Sequence, residues 1–331
     1  MLIPPKYTLT PKISELLSQI EVNKEIIDTM AIPPKVEQNI RRKSILKSSL
    51  FSARIEGNNA TLDSYPKLSP KDKKRIEVNN ILRAINWIIE NKTKEITAKE
   101  ILFLHSRVMK NVEYQEEIGK FRTKHEGIFN SAGMVVYHAP PPNTISDLIN
   151  KLLNYVNQKD GEQFIPIKAI IAHYIFEKIH PFTDGSGRVG RLLVYLMLKN
   201  EGYGFKGILP FEEKIDLKRN LYYETLSIPE KDVTSYVEFM LEVIKEASDE
   251  TKELILLKQK IEDEDLLLPR RGEILRIIKE HKIMNLDSIK RRFSQVNERT
   301  LRYDLKKLQD AKFIQKLGNT KGVYYKTKTS T

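Results

Sequence analysis

Apolar residues recur at helical spacing through most of this 331-residue chain. Ile13, Leu16, Leu17, Ile20 and Ile26 predict one face of a helix over residues 9–30, which Pro33-Pro34 interrupts. A second helix is expected from about Val36 to Ile55, stopping at Gly57-Asn58-Asn59. Further helical stretches fall near 70–92 and 97–110. The period then changes. Residues 120–142 hold Gly127, Ser131-Ala132-Gly133 and the β-prone run Val135-Val136-Tyr137, which predicts a hairpin ended by Pro140–Pro142. Helical spacing returns with Ile170, Ile171, Tyr174 and Ile175, and again with Leu192, Leu193, Leu196 and Met197. A long polar helix from Val233 to about Asp265 leads to LLLPRR, 266–271. Beyond it, Ile274, Ile277 and Ile278 mark a helix, and Leu286-Asp287 starts a short one with Asp287 near its cap. Leu301, Leu305 and Leu308 mark a third over 296–311, followed by a hairpin turning at Gly318-Asn319.

Charge divides this pattern in two. The net charge is +12, but residues 268–331 hold 17 Lys or Arg against 6 Asp or Glu, leaving +1 for residues 1–267. A basic module on a neutral body points to a polyanionic partner for the module. With no cysteine, disulfides, thiol nucleophiles and cysteine metal sites are excluded, which fits a reducing, cytoplasmic setting. The start MLIPPKYTLT lacks a signal pattern, and the apolar run LLVYLML (192–198) is too short to span a bilayer, so no membrane role is expected. The six histidines show no metal-ligand spacing, and no zinc site is expected. His173 reads as helix packing.

The densest chemistry lies in HPFTDGSGRVGR, His180 to Arg191. Gly185-x-Gly187-x-x-Gly190 has the spacing of a dinucleotide loop, but a helix pattern precedes it where a strand is required, and Gly190 is followed by Arg191 rather than Lys-Ser/Thr. A loop between two helices fits better. Gly185, Ser186 and Gly187 would then sit at a helix N-terminus, where free N–H groups and the helix dipole favour an anion. Arg188 and Arg191 suit a polyphosphate, Asp184 offers a hard oxygen to Mg2+, and His180 suits proton removal from a hydroxyl. Phe182 is expected to point inward and anchor the loop.

The segment resembles the Fic family signature, His-Pro-Phe-x-Asp/Glu-Gly-Asn-Gly/Lys-Arg-x-x-Arg, at every fixed position except the Asn, here Ser186. The resemblance implies protein adenylylation: transfer of AMP from ATP to a Ser, Thr or Tyr hydroxyl of a target protein. His180 would be the general base and Asp184 the Mg2+ ligand. Gly185, Ser186, Gly187 and Gly190 would belong to the phosphate-binding segment, with Arg188 and Arg191 on the outer phosphates. Ser186 could still donate to a phosphate oxygen, although it is shorter than the amide. SARIEGN (52–58) resembles the family's inhibitory motif, which implies that Ser52 and Glu56 share a helix face and that Glu56 pairs with Arg191. VVYHAPPP (135–142) resembles the flap that covers ATP and aligns the target by strand addition, with Val135, Tyr137 and His138 at the nucleotide. Tyr222-Tyr223 resembles an element lining the adenine, although Lys218 replaces the Asn often found four residues earlier; paired tyrosines alone read as core.

The fold expected is mostly α: a Fic-type helical bundle with a small hairpin flap and a C-terminal winged helix. Its parts would be an N-terminal helical region, 1–95, with the inhibitory helix at about 36–57; a Fic core, 96–250; a linker helix, 251–267; and a winged helix-turn-helix, 268–331. In the last, Arg299, Arg302 and Lys306 would face DNA, and Lys316, Lys321, Lys326 and Lys328 would reach phosphates. Alternative readings are a DNA-binding regulator using the Fic fold as nucleotide sensor, or a deadenylylating enzyme. A homodimer is left open.

Overall fold

The structure is a computed structural model describing residues 1–112, 117–129, 135–257, 267–318 and 322–328. The chain separates into two compact units, Met1–Met30 with Lys43–Glu253, and Ala31–Arg42 with Leu254–Thr331. Residues 1–30 and 43–95, expected as a region of their own, thus cluster with the expected core, and 31–42 cluster with the C-terminal unit.

Local signals set the first helix starts along the chain. In α1 (Pro11–Thr29) the Thr10 side chain accepts from Ile13 N–H. Helix α2 (Pro34–Ile55) opens on proline, where a missing N–H costs nothing. Asp72 caps α3 (Lys73–Glu90), and a Thr97/Glu100 capping box opens α4 (Ala98–Val108). Strands β1 (Gly127–Phe129) and β2 (Val135–His138) form the expected hairpin, pairing Gly127 with His138 and Phe129 with Val135. Residues Ser131-Ala132-Gly133 lie outside the described residues. Helices α5 (Ile145–Asn157), α6 (Ile165–Ile179), α7 (Ser186–Asn200), α8 (Phe211–Leu217), α9 (Arg219–Ser227) and α10 (Thr234–Leu257) follow. The rest of the expected polar helix, 258–266, lies outside the described residues.

Helix α6 is the centre of this unit. Its residues Pro166 to Ile179 are all buried, so a helix read from sequence as one-sided is enclosed on every side. It packs against α5 and α7, while α7 also meets α3 and α4. The α6–α7 approach is close because Gly190 lacks a β-carbon: one added there would overlap Glu177 Oε1 and lie 3.2 Å from Phe176 Cδ1.

The second unit holds α11 (Pro269–His281), β3 (Ile283–Asn285), α12 (Leu286–Arg292), α13 (Glu298–Asp310), β4 (Ile314–Leu317) and β5 (Tyr324–Thr327). The strands form one antiparallel sheet in the order β3-β5-β4. Strand β3 was not expected. The cap of α12 is Asn285, whose side chain accepts from Ser288 N–H, and Asp287 lies near it in the first turn. The core is Ile274, Leu275, Ile278, Ile289, Leu301, Leu305, Leu308 and Ile314. Asp304, 1% exposed, joins α13 to α11 through Arg270 Nε at 2.6 Å and Arg271 Nε at 2.8 Å. Asn319 and Lys321 lie outside the described residues. Among the described residues no helix is long and apolar enough to cross a membrane.

Gly190→Ala should lower the stability of the first unit by about 1–3 kcal/mol, the usual cost of overpacking. Urea denaturation at pH 7 checks this, and an unchanged midpoint would mean that α6 and α7 can separate freely.

Candidate active site

Residues 180–185 link α6 to α7 and 186–191 open α7, as the glycine spacing implied for a loop between helices. His180 ends α6 in a left-handed conformation, φ 47°, ψ 63°. Its Nδ1 is buried and has no hydrogen-bond partner among the described residues. Burial pushes the imidazole below the ordinary histidine range; Glu56 and Asp184 oppose this and Arg122 adds to it. An unpartnered, neutral ring nitrogen is equipped to accept a proton.

Phe182 is fully buried and stacks on His105, with ring centroids 3.7 Å apart and planes 5° apart. His105 Nδ1 accepts from Gly119 N–H at 2.9 Å, so Nε2 carries the hydrogen and donates to Asp184 O at 3.0 Å. Burial takes the His105 pKa down to about 4, which keeps this neutral tautomer at physiological pH. Gly185 follows at φ 85°, and a β-carbon there would lie 2.7 Å from Met109 Sδ. Both facts demand glycine.

Ser186 is not where the resemblance placed it. Its hydroxyl accepts from Phe182 N–H at 3.1 Å and donates to Phe182 O at 3.2 Å, and the residue is 1% exposed. It staples the loop to itself instead of facing a phosphate. Gly190 is also displaced from its expected role, because it faces α6 and serves helix packing.

The two arginines emerge from the first turns of α7, both buried. Arg191 Nη2 donates to Glu56 Oε1 at 2.9 Å and to Ser52 O at 2.9 Å, while Nε donates to Ser52 Oγ at 3.0 Å. The Glu56 carboxylate also lies against Gly187, where a β-carbon would overlap Oε1. An acidic side chain thus sits at the amino end of α7. Burial works against the charge on Arg191, yet Glu56 restores it and the guanidinium titrates above its ordinary range. Arg188 pairs with Asp184 and with Glu77 of α3. Burial raises the pKa of Glu77, which also accepts from Asn58 Nδ2 at 2.7 Å.

The Asp184 side chain is 45% exposed; its Oδ1 accepts from Gly185 N–H at 2.6 Å and from Arg188. No cluster of three His, Cys, Asp or Glu converges among the described residues. One exposed carboxylate fits Mg2+ held jointly by a protein oxygen and substrate phosphates.

Tyr137 is half-buried, its ring 4.5 Å from Lys178 Nζ, and His138 is exposed. Val135 enters through its backbone pairing with Phe129. Tyr222 is 1% exposed and belongs to the core, so it presents no face to a base. Tyr223 is 42% exposed and its hydroxyl donates to Ile55 O at 3.4 Å, one residue before Glu56. Lys218 pairs with Glu242 and Glu246. His173 is fully buried, its Nδ1 2.6 Å from Tyr236 Oη. In the second unit, Arg299, Arg302 and Lys306 are all exposed on α13, with Arg302 paired to Glu298.

The sequence model of the Fic/DOC family matches residues 95–198, which contain the whole loop. A protein adenylyltransferase Fic of Aedes aegypti is 31% identical over 222 residues, 63% of this chain and 42% of that protein. One of Nematostella vectensis is 26% identical over 240 residues, 68% of this chain and 53% of that protein. The chain spans about half the length of these curated relatives. A Fic family protein from Desulfovibrio desulfuricans shares the fold with TM-score 0.67 at 24% identity, covering 99% of both chains. Fic-1 from C. elegans gives TM-score 0.62 at 19% identity, covering 75% of this chain and 74% of that one.

Beside Gly190, burial raises the Glu177 pKa to about 8, with Arg191 opposing. A carboxyl raised on folding contributes stability that is fully present below its unfolded pKa and is lost as pH rises through the folded value. Wild type should therefore lose stability between about pH 4.5 and pH 8 relative to Glu177→Gln. Urea midpoints at pH 5 and pH 8 test this; parallel losses in the two proteins would contradict it. Ser186→Ala should cost about 1–3 kcal/mol by leaving the Phe182 N–H without a partner, read in the same assay.

Proposed function

We propose that the protein transfers AMP from ATP to a Ser, Thr or Tyr hydroxyl of a target protein, and that Glu56 restrains the transfer. One observation carries this reading. The amino end of α7, with Gly187 and Arg191, is a ready anion site, and the chain's own Glu56 carboxylate lies in it. A triphosphate bound there would need Arg191 for an outer phosphate. Glu56 removes that donor and adds a negative charge where the phosphate would approach. The relatives named protein adenylyltransferase support the reaction class.

In the transfer, the target hydroxyl oxygen attacks the α-phosphorus, the bond to the β-phosphate oxygen breaks, and pyrophosphate leaves. His180 takes the hydroxyl proton, and Arg188 and Arg191 meet charge on the leaving phosphates. Asp184 would hold Mg2+, which supplies further charge there when bound. The hairpin β1–β2 offers a backbone edge along which a target segment could pair, and Tyr223 is the exposed aromatic beside Ile55 that could meet the adenine.

The second unit has the composition for a second partner. We read its three helices and three-stranded sheet as a winged helix, with α13 presenting Arg299, Arg302 and Lys306 to DNA. The exposed cations on one helix support this.

With α-labelled ATP and Mg2+, Glu56→Gly should label itself about 5–150-fold more than wild type, the range of typical coupling energies. His180→Ala in that background should lose about 10²–10⁴-fold. The acid limb of the Glu56→Gly rate should lie below the ordinary histidine range, because burial lets the base form of His180 persist as pH falls. No label in Glu56→Gly would overturn the reading. Arg299→Ala with Arg302→Ala should weaken duplex binding and reduce the salt slope by about 1–2, leaving self-labelling intact. Unchanged binding would remove DNA as the partner.

A further inference from the structure

The turn that carries His180 creates a local problem. Where α6 stops, its last carbonyls have no helical partners, and the left-handed backbone at His180 is unfavourable for a residue with a β-carbon. Arg122, from the segment ahead of β1, answers both. Its backbone N–H donates to Pro181 O at 2.9 Å. Its Nε donates to His180 O at 2.8 Å, and Nη2 approaches Ile179 O at 3.4 Å. Three consecutive carbonyls at the end of α6 are thus satisfied by one residue.

The same guanidinium reaches the hairpin from the inside. Nη1 donates to Lys124 O at 2.8 Å, before β1, and Nη2 donates to Pro140 O at 2.7 Å, after β2. Arg122 is 4% exposed and these side-chain acceptors are all main-chain carbonyls. This buried cation donates only to neutral oxygens; burial works against its charge, while Glu126 nearby and the negative end of the α6 dipole favour it. Ala139 N–H donates to Glu126 O at 3.1 Å, closing the hairpin stem beside this clamp.

We propose that Arg122 is a positioning residue for the transfer reaction, fixing His180 and the base of the hairpin β1–β2 to one another through a single planar fork. The inference rests on the adenylyl-transfer reading above, in which the hairpin aligns the target and His180 takes its proton. A target segment paired along the hairpin is then held in a set register to the base. A lysine cannot substitute, because its donors radiate from one atom and cannot span carbonyls on three separate backbone pieces. Arg122 also places a positive charge near His180, with Glu56, just after α2, and Asp184 of the loop as the opposing charges.

The test compares Arg122→Lys and Arg122→Met in the Glu56→Gly protein. Both should keep KM for ATP within about twofold, while kcat for self-labelling falls about a hundredfold, the cost of an ångström-scale misplacement. In Arg122→Met the His180 imidazole should titrate at higher pH than in the parent, read by NMR on labelled histidine and assigned with His180→Asn. Arg122→Lys retains the charge, so its loss of rate isolates geometry and stands alone if Arg122→Met does not fold. A folded variant that labels at the parent rate, or a His180 titration unmoved in folded Arg122→Met, overturns the proposal. If the Glu56→Gly parent transfers no label, the adenylyl-transfer reading fails; the His180 titration needs no turnover and still decides whether Arg122 acts on that ring.

Discussion

An amino-terminal helix end that attracts anions is the constraint around which the first unit is organised. Helix α7 begins with Gly185, Ser186 and Gly187, and both arginines leave its opening turns. Two buried guanidiniums need partners. Glu56 and the two Ser52 oxygens answer Arg191, while Asp184 and Glu77 answer Arg188. Gly187 lets the Glu56 carboxylate come this close. The compensation that makes the arginines tolerable in the folded chain is therefore the same feature that would compete with a polyphosphate.

Around this charge system the loop is fixed almost entirely by neutral contacts. Phe182 stacks on His105, His105 holds the Asp184 carbonyl, and Ser186 closes on the Phe182 backbone. Arg122 adds the outer clamp at 179–181. The His180 ring remains without a partner at Nδ1. With the backbone pinned and this ring nitrogen left free, a proton could be accepted there without prior rearrangement.

Much of this was legible from residue order. Helical spacing located α1 to α4, α6, α7 and the helices of the basic module, and the loop's glycines and arginines announced an anion site. The remainder depends on contacts between residues far apart in sequence, which leave no period. Arg122 in KFRTK reads as an ordinary solvated charge, yet it is buried. Glu77 lies in a charged stretch and gives no sign of Arg188. Ser186 reads as a phosphate donor until Phe182 is seen to take its hydroxyl. Tyr222 and Tyr223 look equivalent, but one packs in the core and the other is exposed. Strand β3 has three residues, too few to show alternation.

Under the proposed function, Glu56 stands where an outer phosphate would lie. A crystal structure of Glu56→Gly with Mg2+ and a non-hydrolysable ATP analogue tests it most directly. Terminal phosphate oxygens are expected within hydrogen-bond distance of the Arg191 guanidinium and the amide end of α7 at Gly187. A nucleotide bound elsewhere, or bound with its outer phosphates away from Arg191, would contradict it.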